Sequence, residues 1–100
     1  MRKIILSKRA SKRLGKLLAY LESEWSLKVK KDFVKKLDKS LKQIQKYPNS
    51  CQQTKFVKGL HKLIVTQQTS VLYRFDSESI TIVTIFDNRM NPDKLKTETK

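Results

Sequence analysis

The chain has 100 residues, with 23 lysines and arginines against 9 aspartates and glutamates, a formal charge of +14, and 38% hydrophobic residues. That length and apolar content suit one domain with one modest core and exclude a multi-domain enzyme, while the charge points to a polyanionic partner: RNA, DNA or a very acidic protein. A single cysteine, Cys51, excludes an intrachain disulfide and a cysteine-based metal site. The apolar run at residues 4–6 is too short for a signal peptide or a membrane span, so a cytoplasmic protein without membrane contact, metal or small-molecule cofactor is expected.

In chain order, residues 3–6 read as a first strand, and Ser7 as the cap of a helix whose free N–H groups its hydroxyl can satisfy. Ala10, Leu14, Leu17, Leu18, Leu21 and Trp25 then recur on one helical face, opposite a basic face of Lys8, Arg9, Lys12, Arg13 and Lys16. Gly15 costs this helix about 1 kcal/mol relative to alanine, and its missing side chain is expected to admit another backbone. After a break at 24–26, with Ser26 as cap, a second helix places Val29, Phe33, Val34, Leu37, Leu41 and Ile44 on one side and must stop before Pro48. The short break predicts an antiparallel helical hairpin. The outer side of the second helix carries Lys28, Lys31, Lys35, Lys39, Lys42 and Lys46, with Asp32 and Asp38 as pairing partners.

YPNSCQQT has the chemistry of a polar loop, and residues 55–58 form a further candidate strand before Gly59. Residues 62–66, 71–76 and 80–86 are rich in Leu, Ile, Val, Tyr, Phe and Thr and are separated by QQTS and DSES, as in strands joined by tight hairpins. Beyond Pro92 the tail is polar and expected to be mobile. The predicted fold is therefore α+β: an N-terminal strand and an α-helical hairpin packed on a small antiparallel sheet, one domain over residues 1–100 with a flexible tail from about 93.

The candidate polar chemistry gathers around the last three strands. His61, the sole histidine, is a candidate general base by residue type, although a lone imidazole beside a strand is more often structural. Tyr73 and Phe75 share one face of their strand and Arg74 the other, with Tyr73 read as core. Asp87 and Arg89, two apart at a strand end, form either a turn ion pair bent at Asn88 or a contact for a phosphate or macromolecular target. Lys58, Lys12 and Arg13 are further candidate contacts.

The order strand, helix, helix, meander resembles the RelE/ParE superfamily of toxins from bacterial type II toxin–antitoxin systems. The resemblance spans nearly the whole chain, from KIILSKRASKRLGKLLAYLE through KGLHKLIV and SVLYRF to ITIVTIFDNRMNP. It implies a growth-blocking toxin of the addiction type, neutralised by a cognate acidic antitoxin, and two activities: ParE-like poisoning of DNA gyrase or RelE-like cleavage of mRNA in the ribosomal A site. For the second, Lys62 matches a phosphate-facing lysine and Arg89 approximately a C-terminal arginine. Arg74 and His61 complete the nuclease candidates. The pattern is incomplete, since Ser70 stands where nucleases carry arginine, Ile64 where some carry a second lysine, and residues 87–100 contain neither tyrosine nor histidine. A gyrase-directed toxin is therefore slightly preferred, a metal-independent endoribonuclease is the alternative, and a basic RNA-binding module with Tyr73 and Phe75 as a stacking platform stands outside both.

Overall fold

The structure, a computed structural model, describes residues 2–54 and 58–87. Strand β1 (Lys3–Leu6) leads into helix α1 (Lys8–Glu24), which is followed by helix α2 (Leu27–Lys46) and a short 3-10 turn (Pro48–Ser50). Strands β2 (His61–Ile64), β3 (Thr69–Phe75) and β4 (Ser79–Asp87) complete a four-stranded sheet of order β1-β4-β3-β2. The fold class is the expected one. Within it the sheet is mixed, because β1 runs parallel to β4 while β2, β3 and β4 form an antiparallel meander. The helical hairpin supplies the long crossover that a parallel neighbour requires. The further strand expected at 55–58 falls largely on 55–57, outside the described residues, as does the tail.

Both helices begin where the sequence places caps. The Ser26 hydroxyl accepts from the Val29 N–H at 3.1 Å, and the Ser7 hydroxyl accepts from the Ala10 N–H at 3.0 Å. Ala10, Leu17 and Leu21 of α1 and Phe33, Leu37 and Ile44 of α2 are buried against Val71, Tyr73, Ile80, Ile82 and Ile85 on one sheet face. Full burial of each such aliphatic or aromatic side chain contributes about 1.5–3 kcal/mol.

Two residues leave the predicted apolar stripes. Trp25 is the C-cap of α1, with non-helical torsions, and is 56% exposed. Val34 sits at the rim of the α2 stripe and is 42% exposed, since Phe33 and Leu37 take the core positions. Gly15 meets nothing within 4 Å, so no backbone approaches there. Gly59 has a φ of 83° in the turn before β2, a conformation that favours glycine.

The two hairpin turns are held by side chains. Thr66 Oγ1 accepts from the Gln68 and Thr69 N–H groups, each at 3.1 Å. Asp76 Oδ1 accepts from the Glu78 and Ser79 N–H groups, each at 2.8 Å, and these bonds hold its pKa below the usual carboxylate value.

A bulge divides β4. Leu72 pairs with Thr84 and Tyr73 with Ile82, leaving Val83 as the extra residue. Successive carbonyls of a regular strand point to opposite edges; here the Ile82 and Val83 carbonyls are both taken by Ser7. Its N–H donates to Ile82 at 3.0 Å and its hydroxyl to Val83 at 2.7 Å. The extra residue also shifts the phase of the strand, so that Ile80 and Ile82 are buried before it and Ile85 and Asp87 after it.

Removing the Ser7 hydroxyl therefore strands a helix N–H and a bulge carbonyl together. Ser7→Ala is expected to cost about 2 kcal/mol, against about 1 kcal/mol for the simple exposed cap in Ser26→Ala. Urea unfolding of the two variants checks this, and equal losses would contradict the double role.

Candidate target-binding face

Strand alternation gives the sheet two chemically different faces. Leu63 on β2 and Val71 and Tyr73 on β3 point to the helices and are buried. Lys62, Ile64, Ser70, Leu72 and Arg74 point the other way, where Lys62 and Arg74 are exposed and Ile64 is 66% exposed. Register places Lys62 opposite Leu72, which puts Arg74 on the diagonal from Lys62, with Cβ atoms about 7–8 Å apart. An ammonium and a guanidinium at that spacing can grip a phosphate or carboxylate between them. Thr84, opposite Leu72 on the same face, has a buried hydroxyl without a hydrogen-bond partner among the described residues.

The structure brings Lys62 and Arg74 together and separates them from His61. The imidazole is 8% exposed on the helix-facing side, stacked on Tyr73 at 5.3 Å and packed on Phe75 at 5.1 Å. Its Nδ1 lies 2.8 Å from the Cys51 carbonyl, which can only accept, so Nδ1 carries the proton. His61 is thus a positioned core residue, turned away from the cationic face. The stacking-platform idea fails for the same reason: Tyr73 is fully buried and donates its hydroxyl to the Pro48 carbonyl at 2.8 Å.

Asp87, read from the sequence as either a turn ion pair or a target contact, is likewise buried, its carboxylate accepting from the Thr69 hydroxyl. Arg13 lies over the Phe86 ring at 5.2 Å, and Lys12 on α1 and Lys58 in the turn before β2 are exposed. Asn88 and Arg89 lie outside the described residues. Among the described residues no three His, Cys, Asp or Glu side chains are grouped to hold a metal, and no helix is long and apolar enough to cross a membrane.

A two-helix hairpin covering one face of a small mixed sheet is a fold that this chain shares with solved structures of bacterial toxins. A structure of the chromosomal ParDE toxin–antitoxin system from P. aeruginosa matches with a TM-score of 0.72 and 17% identity, over 87% of this chain and 96% of that chain. The YoeB dimer from Staphylococcus aureus matches at 0.62 and 19% identity, over 85% and 94%. The DinJ–YafQ complex from E. coli matches at 0.59 and 15% identity, over 89% and 96%. At these identities the likeness is one of fold. No curated protein matches the chain.

The family is fixed by sequence: residues 4–92 match the ParE toxin of the type II toxin–antitoxin system, parDE, and the chain belongs to that family.

The Tyr73 phenol offers a pH test of the helix-facing cluster. Burial first, then its hydrogen bond with the Cys51 side chain, pushes its pKa well above the ordinary 10.0. The unfolded chain releases this proton from about pH 10 while the folded chain keeps it, so the stabilisation is complete below that pH and falls above it by up to about 1.4 kcal/mol per pH unit. Tyr73→Phe is expected to cost about 1–2 kcal/mol at neutral pH by stranding the Pro48 carbonyl, and its deficit against the parent should shrink as pH rises past 10. Urea unfolding at several alkaline pH values checks this; a constant deficit would contradict it.

Proposed function

We propose that this type II toxin arrests growth in the ParE manner, by poisoning DNA gyrase, with the Lys62–Arg74 face forming part of the surface that engages the target. The observation that carries this reading is the separation of His61 from the cationic face. Cutting RNA needs groups that take a proton from the attacking hydroxyl and give one to the leaving oxygen. The single imidazole of the chain is turned into the core against Tyr73, and Ser70 and Ile64 occupy the open-face positions where nuclease relatives carry cations. The family match to ParE supports the same side of the superfamily. In this reading the toxin works in the cytoplasm and is held inactive by a cognate acidic antitoxin, whose charge would offset the +14 of the chain.

The second reading, RelE-like cleavage of ribosome-bound mRNA, is favoured by the Lys62–Arg74 pair itself, because two preorganised cations can stabilise a phosphorane. The two readings differ in magnitude. Loss of one transition-state cation costs about 3 kcal/mol, roughly a hundredfold in rate, whereas one contact in a distributed binding surface is worth about 1 kcal/mol.

The experiment runs both assays on one preparation. Purified chain is added to gyrase with supercoiled plasmid, and separately to translating ribosomes followed by primer extension. Trapped cleaved gyrase–DNA complexes with an intact A-site codon are expected, and Arg74→Ala should weaken gyrase inhibition several-fold. Codon-positioned cuts that vanish in Arg74→Ala, without trapped gyrase complexes, would replace this reading with the nuclease.

A further inference from the structure

The first 21 residues carry seven lysines and arginines and no acidic side chain. Five of the seven, Lys8, Arg9, Lys12, Arg13 and Lys16, fall on α1, whose first turn holds no acid to offset the positive end of its dipole. Lys8, Lys12 and Lys16 follow at four-residue spacing, so each rises about 6 Å above the last and turns only about 40° round the helix. They form a row on the side of α1 turned away from the sheet, where all three are exposed, with exposed Arg9 alongside. Ser11, Gly15 and Ala19, also exposed, keep the rest of that side low, and a side chain at Gly15 would meet nothing within 4 Å.

Lysine-rich faces of soluble proteins usually mix the two signs of charge. That is the case on α2, where Asp38 pairs with Lys42 at 3.1 Å and Asp32 stands among the other lysines. On α1 the charge is undiluted, since Lys8, Arg9, Lys12 and Lys16 have no acidic partner among the described residues. The same side lacks what a protein partner would need. Protein interfaces are centred on apolar anchors, and among the described residues the exposed large apolar side chains all lie outside α1. Cations separated by small residues and a hydroxyl suit a chain of phosphates, which is held by charge and close approach. Duplex DNA is the form that fits a helix: its major groove, about 12 Å wide, admits one, whereas the major groove of an RNA duplex is too narrow.

We propose that the Lys8–Lys12–Lys16 side of α1 docks on the phosphate backbone of duplex DNA at the mouth of the major groove. Contact of this kind is independent of base sequence. Identifying the duplex with the segment that gyrase holds rests on the gyrase reading above; the surface itself does not. On that identification the toxin meets the gyrase–DNA complex through two surfaces, the open sheet face at Lys62 and Arg74 and this side of α1.

The test has two arms. In the first, a fluorescein-labelled DNA duplex of about two helical turns is titrated by anisotropy at several potassium chloride concentrations. The parent chain is compared with Lys8→Gln/Lys12→Gln/Lys16→Gln and with Lys28→Gln/Lys35→Gln/Lys39→Gln, which makes the same charge change on exposed positions of α2. Circular dichroism and thermal melts confirm that both variants are folded. The α1 variant is expected to flatten the dependence of log affinity on log salt by about 2.7, three contacts at about 0.9 each, and to bind at least about tenfold more weakly at fixed salt. The α2 variant should flatten it by less than about 1 and lose less than about threefold. No binding by the parent, equal changes in the two variants, an RNA duplex of the same sequence bound as tightly as the DNA, or preference of the parent for an acidic peptide over the duplex would each overturn the proposal.

In the second arm, gyrase and supercoiled plasmid are incubated with the parent and both variants. Loss of trapped cleaved complexes in the α1 variant, with trapping kept in the α2 variant, is expected. Full trapping by the α1 variant would overturn the placement of this surface on gyrase-held DNA. Absence of trapping by the parent would sink the gyrase reading instead, and the duplex titration then decides the surface.

Discussion

The hydroxyl of Ser7 is the junction on which the architecture turns. One side chain caps α1, through the Ala10 N–H, and satisfies the carbonyl that the β4 bulge exposes at Val83. The adjacent N–H closes the parallel pairing by donating to Ile82. These bonds fix where the first helix leaves the sheet and how β1 lies against β4. A partly buried carbonyl left without a donor is costly, so the bulge and the cap stabilise each other. Below the bulge the phase of β4 changes, and Ile85 enters the core while Asp87 meets the Thr69 hydroxyl.

That organisation separates two kinds of chemistry by the thickness of one sheet. On the helix-facing side, Tyr73, His61 and Phe75 stack together, tied to the preceding loop by the Pro48 and Cys51 carbonyls. The Tyr73 hydroxyl and His61 Nδ1 are held by backbone carbonyls, so this cluster holds the fold. On the other side Lys62 and Arg74 project beside Leu72 and Ile64, free of the core and open to a target. A strand period of two makes this division automatic: His61 and Lys62 are neighbours in sequence and face opposite directions.

Much of this was legible in the sequence. The helices, their serine caps, the break between them and the three late strands follow from apolar period and turn chemistry, and the LYRF alternation correctly set Tyr73 and Phe75 against Arg74. Three things were not. The parallel pairing of β1 is a tertiary choice with no local signature in four residues. The bulge hides in the run ITIVTIFD, where almost every residue is β-prone and the switch of phase at Val83 is marked only by the three-residue spacing of Thr81 and Thr84. The role of His61 was ambiguous because HKLI carries apolar side chains at both Leu63 and Ile64, so either phase of the strand was admissible; the Cys51 carbonyl that holds its ring comes from a loop ten residues earlier. The inward direction of Asp87 was not legible for a related reason, since it depends on the bulge.

The division of labour between the two faces is tested most directly by measuring thermal stability and growth arrest on the same two variants, His61→Gln and Lys62→Glu/Arg74→Glu. The account predicts that His61→Gln lowers the melting temperature, by several degrees for a loss of about 1 kcal/mol, yet still arrests growth at a temperature where it is folded. The double charge reversal should melt within about a degree or two of the parent, as surface substitutions do, and lose its toxicity. Loss of toxicity in a folded His61→Gln variant, with toxicity retained in the charge reversal, would contradict it.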